Sequence, residues 1–247
     1  MSKTLIAIVS CHTRQHYTDV QRETWIPRIP TGLYYRVFRG RGATRGPLPD
    51  EVFLDCEDGY SGLPEKVRSI ARWAVEREYD FMLKCDDDVL LLPEKFLTSG
   101  FDLHDFVGNI IGDGGQVVVP WGFCWTISRQ AMQIVSELPL PSDNNDELWV
   151  AYALRDKCIH LHSDERYRIH KVGDEELAAP LTRPDGQPLS MIRTKRAGRP
   201  LRAPERHMLV PEYIPGVFAY CMFYTQGERL PDDRNIAEMR KIWARIK

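Results

Sequence analysis

At 247 residues, with 43% hydrophobic and 28% charged side chains, the chain is long enough to bury a sizeable core and has the composition of a globular protein, not of a disordered or fibrous one. A formal net charge of −2 and a pI near 6.4 exclude any chain-wide electrostatic case for nucleic acid or an anionic membrane. No stretch reaches the roughly 18 apolar residues of a spanning helix, and the run Leu5 to Val9 is too short for a secretory signal, so a cytoplasmic protein without a transmembrane segment is expected. The six cysteines, Cys11, Cys56, Cys85, Cys124, Cys158 and Cys221, are scattered without a C-x-x-C pair. That spacing speaks against tetrahedral zinc and for reduced thiols.

Leu5 to Val9 is a continuous apolar run, the pattern of a central strand buried on both faces. It leads into the polar loop Ser10 to Arg14. A helix is predicted over Tyr17 to Trp25, stopping before Pro27, and Phe38 to Pro49, with Arg39, Arg41 and Arg45 among glycines, reads as a flexible basic loop. Val52 to Leu54 reads as a second strand. Ser61 to Glu78 is the clearest helix: Leu63, Val67, Ile70, Ala71, Ala74 and Val75 recur at helical spacing, and Pro64 suits its first turn. It feeds directly into the short strand Phe81 to Lys84. Strand, helix and strand in alternation indicate a mostly parallel sheet covered by helices, in which ligands bind beyond the C-terminal strand ends. Val117 to Pro120 is a further strand, Arg129 to Leu138 a helix, and Ser142 to Glu147 an acidic loop capping a helix over Leu148 to Leu154. Ile159 to His162 reads as a short strand. Lys171 to His207 is poor in large apolar residues and without period, a long loop or lid. Val217 to Tyr224 returns to strand character, and Ile236 to Ile246 is a terminal amphipathic helix.

The chemistry concentrates in FMLKCDDDVLLL, Phe81 to Leu92, where Asp86, Asp87 and Asp88 interrupt an apolar run. Adjacent carboxylates repel and burying unpaired charge is costly, so such a cluster needs a cation to face. Two readings are open locally: a divalent metal clamped at a strand end, or a solvated acidic turn of the kind that aspartate favours. Placement at a strand end beside Ser10 to Arg14 favours the metal.

Six segments in order resemble the inverting GT-A glycosyltransferases of the beta-1,3-galactosyltransferase and fringe-like superfamily. They are Arg22-Glu23-Thr24-Trp25; Tyr60 to Lys66 followed by Trp73; Lys84-Cys85-Asp86-Asp87-Asp88-Val89; Gly122 to Ser128; Asp146-Glu147-Leu148-Trp149-Val150; and Glu238 to Trp243. They span roughly residues 4 to 155 plus the final helix. Gly62 and Pro64 depart from the usual Asn and Thr, and the acid pair Asp146-Glu147 is swapped relative to the family's Glu-Asp. The resemblance implies a single GT-A (Rossmann-like) α/β domain over 1–247: a mixed, mostly parallel sheet flanked by helices, with a metal site at a strand C-terminal end. Residues 1–100 would be mainly the donor half, 101–170 mainly the acceptor and catalytic half, 171–207 a basic lid, and 208–247 the closing strand and helix.

It also implies a UDP-sugar donor held with Mn2+ or Mg2+, hard cations that suit oxygen ligands. Asp88 is the main metal candidate. Asp86 is assigned to ribose or metal, and Asp87 lies uncertain between those roles. Lys66, Arg14 and Arg22 are candidates for nucleotide contacts, with a core-anchoring salt bridge the other reading of Arg22; Trp25 and Trp73 are read as core. A general base must take the acceptor's proton, and the swap leaves Glu147 and Asp146 both open. A C-terminal histidine ligand of relatives has no counterpart in Tyr220 to Asp233, and His160, His162, His170 and His207 are not assigned to it. The acceptor is expected to be a cytoplasmic glycan or glycolipid. The alternative is a hydroxymethylated base in DNA, because Met191 to His207 sets Arg193, Lys195, Arg196, Arg199, Arg202 and Arg206 against Glu205 alone. A non-catalytic sugar-nucleotide binder or a nucleotidyltransferase is the remaining reading.

Overall fold

A computed structural model describes residues 2–112, 118–164, 166–170, 219–222 and 232–246. In chain order these form β1 (Thr4–Val9), α1 (Gln15–Glu23), β2 (Leu33–Arg39), β3 (Glu51–Phe53), α2 (Leu63–Glu76), β4 (Phe81–Asp86), β5 (Val89–Leu91), α3 (Pro93–Leu97), β6 (Phe106–Gly112), β7 (Val118–Ser128), α4 (Arg129–Glu137), α5 (Asp146–Arg155), β8 (His162–Ser163), β9 (Tyr167–His170), β10 (Ala219–Met222) and α6 (Asp232–Ile246). Seven strands make one sheet in the order β3-β2-β1-β4-β7-β6-β8, and β5, β10 and β9 make a smaller one. From β3 to β4 the pairings are parallel. β7 then runs antiparallel to both β4 and β6, and β8 is parallel to β6. The sheet is therefore mixed and mostly parallel, as the alternation of strand and helix predicts.

Alternation along β1 explains why its whole run is apolar. Leu5, Ala7 and Val9 face a core built with α2, α4 and α5. Ile6 and Ile8 face the opposite core, which includes Tyr17, Trp25, Met239 and Trp243 from α1, its C-terminal continuation and α6. Both sides of the strand are covered, and β1 has no polar face to show. Trp25 is fully buried, as expected of a core tryptophan, and its indole N–H donates to the Val89 carbonyl at 3.2 Å. Trp73 is half-buried, stacked on Tyr79 and edge-on to Phe38.

Three expectations need correction. The basic loop does not begin at Phe38, because Phe38 and Arg39 end strand β2 and are fully buried. Arg39, Arg22 and Arg45 converge on Glu51, at 3.3, 3.2 and 2.7 Å, so these arginines knit β2 and β3 to α1. The strand expected at Val117 to Pro120 runs on through Ser128, with β6 as its hairpin partner. Finally, Asp146 and Glu147 belong to the first turn of α5, whose N-cap is Asn145; its side-chain oxygen accepts the Leu148 N–H at 2.9 Å. The segment Lys171 to His207, and with it the basic cluster at 191–207, lies outside the described residues.

Candidate active site at the ends of β1 and β4

The parallel pairing of β1 with β4 sets Val9 opposite Asp86. The loop after β1 and the three aspartates after β4 therefore leave the sheet side by side. The tight turn between β4 and β5 is held from below by two α1-side groups. Gln21, fully buried, donates its amide to the carbonyls of Asp86 and Val89 at 3.2 and 3.1 Å, and Trp25 adds its bond to Val89. Gln21 carried no signal in the sequence; its position one helical turn before Trp25 is legible only once the turn is seen beside α1.

The three aspartates have different neighbours. Asp87 is 3% exposed and takes both Nε and Nη2 of Arg14, at 2.6 to 2.9 Å, together with the Ser10 hydroxyl at 2.8 Å. This forked ion pair satisfies Asp87 and orients Arg14, whose guanidinium also lies 4.0 Å from the Tyr17 ring centre. Asp88, equally buried, receives Arg14 Nη2 at 3.1 Å. Burial pushes its carboxyl well above the usual range, helped by the charges of Asp87 and Asp86 and opposed by Arg14. Asp86 keeps 30% of its side-chain surface open and meets Lys84 Nζ at 2.6 Å. Burial raises it, Lys84 pulls it down, and Asp146 and Asp87 raise it again, to about 6.

Lys84 joins the two halves of the site. It points out of β4, 3% exposed, with Asp86 at 2.6 Å, Asp146 Oδ2 at 3.9 Å and the Gly122 carbonyl of β7 as its acceptor. Burial alone would lower its pKa, but Asp86 and Asp146 outweigh that, and the ammonium stays charged. Asp146 is 3% exposed, and its Oδ2 has no hydrogen-bond partner among the described residues. Burial raises its carboxyl, Lys84 opposes, and the charge and hydrogen bond of Glu147 raise it further, to about 7. Glu147 is only partly buried, and its carboxylate lies against Gly122, where an added Cβ would come within 3.0 Å of Cδ. Tyr60, just before α2, is 72% exposed; partial burial first, and then the charges of Glu147 and Asp146, raise its pKa.

Two predicted nucleotide contacts are engaged elsewhere. Lys66 is 1% exposed and donates to the Ser10 carbonyl at 2.7 Å and to Asp58 at 3.0 and 3.2 Å. Asp58 in turn accepts the backbone N–H of His12 and Gly40, so Lys66 and Asp58 brace the loop after β1. Arg22 pairs with Asp19, Asp50 and Glu51 at 2.9, 2.8 and 3.2 Å, which is the anchoring role that its sequence left open. Lys84 and Tyr60 lie inside the motifs but had no role assigned from sequence.

Whether the residues fit a divalent cation is a question of charge and donor type. Among the described residues, Asp86, Asp87, Asp88, Asp146 and Glu147 face the cations Arg14 and Lys84, leaving an excess of carboxylate; burial first, and then the neighbouring carboxylates, raise Asp86, Asp88 and Asp146. No three His, Cys, Asp or Glu side chains among them converge into a ready cage. Hard oxygen donors in excess, without a closed cage, suit Mg2+ or Mn2+, which bind through one or two carboxylates and complete their shell with substrate phosphate and water. No described helix is long and apolar enough to cross a membrane.

No protein-family model matches the sequence, and no curated protein matches it. Solved structures with a similar chain course include a glycosyltransferase involved in glycosylation of the major capsid of PBCV-1, at 12% identity and TM-score 0.49, covering 96% of this chain and 99% of that one. An active-site mutant of LgtC aligns at 11% identity and TM-score 0.46 over 96% and 95%. The apo glycosyltransferase GlyE of Streptococcus pneumoniae TIGR4 aligns at 13% and 0.43 over 72% of this chain and 49% of that one. With TM-scores of 0.43 to 0.49, these likenesses carry no functional conclusion.

Proposed function

We propose that the chain is a metal-dependent inverting glycosyltransferase that moves a sugar from a UDP-sugar to an acceptor hydroxyl. The observation that supports it is the apposition, through Lys84, of an acidic strand end (Asp86 to Asp88) and the carboxylate pair at the start of α5 (Asp146, Glu147). Asp86 and Asp88 would hold Mn2+ or Mg2+. When bound, the cation supplies Lewis-acid stabilisation of the charge that develops on the leaving diphosphate. Asp87 and Arg14 fix the turn that presents these ligands, and Arg14, 17% exposed in its side chain, would offer its open edge to a phosphate oxygen of the donor. Glu147 is the general base. It is the accessible member of the pair, whereas Asp146 is sealed against Lys84 and acts by position. Glu147 takes the proton from the acceptor hydroxyl as that oxygen bonds to the anomeric carbon, and the bond to the diphosphate breaks on the opposite face, its electron pair leaving with UDP.

A thermal-shift screen of UDP-sugars with and without Mn2+ tests this. A Mn2+-dependent shift with one or more donors is expected in the parent and lost in Asp88→Ala; a shift that survives Asp88→Ala would show the metal assignment to be wrong. A second reading keeps the chemistry and changes the acceptor to a hydroxymethylated DNA base, on the strength of the six basic side chains at 191–207. Transfer from labelled UDP-sugar to hydroxymethylated duplex, with salt-dependent binding, separates it from the glycan reading. A nucleotidyltransferase or a silent binder would yield no glycosylated product.

A further inference from the structure

The cation that braces the acidic turn is itself held from two sides, and one of them lies outside the candidate site. Arg14 is the N-cap of α1, and Tyr17 stands three residues on, a spacing that brings side chains together at a helix start. The fork to Asp87 fixes one edge of the guanidinium through Nε and Nη2, and Nη2 also reaches Asp88. Among the described residues Nη1 makes no bond, and 17% of the side chain stays open. The Tyr17 ring, whose centre is 4.0 Å from the guanidinium carbon, backs its flat face.

Tyr17 is fully buried among apolar neighbours, a place that packing alone could fill with phenylalanine. A buried hydroxyl costs stability unless it is bonded. This one is bonded twice by α6: it donates to Asp232 Oδ1 at 2.9 Å and accepts from the Asn235 amide at 3.0 Å. Asn235 is fully buried, and the second oxygen of Asp232 meets His16 Nε2 at 3.1 Å. The two bonds join residues 215 and 218 positions apart. A line of contacts therefore runs from Asp87 to Arg14, to Tyr17, and on to the first turn of α6. It holds one edge and one face of the guanidinium before any anion arrives. A long side chain held in this way loses little freedom when it binds, and the affinity gains accordingly.

We propose that Tyr17 is a positioning residue for the donor: with Asp232 and Asn235 it sets the Arg14 guanidinium for the diphosphate. The inference rests on the glycosyltransferase reading and deepens it, because it gives a buried tyrosine and the start of α6 a part in donor binding.

The test measures binding of UDP with Mn2+ to the full chain by titration calorimetry, with urea unfolding of every variant alongside. Tyr17→Phe, which keeps the ring and drops both bonds to α6, is expected to raise Kd about threefold, and Tyr17→Leu, which removes the ring, about tenfold. Both effects should shrink to within about twofold in an Arg14→Lys background, which keeps the charge facing Asp87 but has no flat face for the ring. If Tyr17→Leu does not fold, Asp232→Ala takes its place in the cycle, since that side chain is 49% exposed; it too should raise Kd about threefold in the parent and not in Arg14→Lys. Equal factors in the two backgrounds overturn the positioning role and leave Tyr17 as core packing. So does a folded Tyr17→Leu chain that binds UDP as tightly as the parent. A parent chain that binds no UDP in the presence of Mn2+ overturns the glycosyltransferase reading itself, and the positioning role falls with it.

Discussion

Replacing Lys84 by Met isolates the contact on which the site depends. The substitution keeps an unbranched apolar stem in a position that is 3% exposed, and removes the ammonium between Asp86 at 2.6 Å and Asp146 at 3.9 Å. Removing one partner of a buried ion pair costs about 3–5 kcal/mol, because the remaining charge has neither water nor a counterion. The carboxylates can escape by taking up a proton. For a carboxyl whose ordinary pKa is 3.8, that costs about 4 kcal/mol at pH 7 but only about 1.5 kcal/mol at pH 5. In the variant, the folded-state values of Asp86 and Asp146 rise further above 3.8, so the folded chain binds more protons than the unfolded one throughout this window, and stability falls as pH rises. The expected loss relative to the parent is therefore about 4 kcal/mol at pH 7, shrinking to about 2 kcal/mol or less at pH 5. Urea denaturation followed by tryptophan fluorescence at both pH values measures it, with Lys84→Arg as a control that keeps the charge. An equal loss at both pH values would mean that packing, not charge, sets the cost. A loss under about 1 kcal/mol at pH 7 would mean that the carboxylates have other compensation.

Other outcomes follow from the same geometry. Glu147→Gln should lower transfer by about 10²- to 10⁴-fold with donor affinity retained; a larger loss in Asp146→Asn than in Glu147→Gln, measured as kcat, would transfer the base assignment to Asp146. Gly122→Val sets a branched side chain where the Glu147 carboxylate lies within about 3 Å, and is expected to reduce kcat while leaving the Mn2+-dependent donor shift in place. Burial works to raise the Glu51 carboxyl, but bonds from Arg45 and the Leu48 N–H and the charge of Arg39 bring it from 4.5 down to about 2. Its contribution to stability is thus complete above about pH 4.5 and lost as pH falls towards 2. Glu51→Gln should abolish that acid-range slope and cost about 3 kcal/mol at neutral pH, since Arg39 is fully buried; an acid unfolding curve identical to the parent's would contradict it. Gln21→Leu leaves the Asp86 and Val89 carbonyls short of a donor, and a loss of about 1–3 kcal/mol is expected by thermal or urea unfolding.

Periodicity and interruption account for what the sequence revealed. The apolar run of β1 and the helical spacing of α2 needed no tertiary information, and the aspartates stood out because charge broke an apolar stretch. β2 was hidden because Arg36 and Arg39 sit in it, and Arg39 is buried against Glu51 on the neighbouring strand, the Cys11 carbonyl and the Thr18 hydroxyl. β6, interrupted by Gly108, needed its hairpin partner to be seen; that glycine is tolerated because Pro120 and Trp125 close over it. Lys66 and Arg22 looked like anion binders because a cation's partners are invisible in sequence; here they are Asp58 and the Asp19, Asp50 and Glu51 group. The ion pair between Lys84 and Asp146, at 3.9 Å, joins distant parts of the chain and could not be read from either segment.

The direction of β7 has a consequence of its own. β4 lies between a neighbour that runs with it and one that runs against it, with Cys85 opposite Cys124. A parallel β7 would deliver its last residues to the edge where β4 ends. The antiparallel one delivers its first, and so brings Gly122 to the Lys84 ammonium and makes room for the Glu147 carboxylate beside it. The change of polarity between two adjacent strands thus places the earlier part of β7, with Gly122, at the acidic edge, while its end, Ser128, lies opposite Phe81 at the far end of β4. A shift of register between β4 and β7 would separate Asp86 to Asp88 from the Glu147 carboxylate without altering a single side chain.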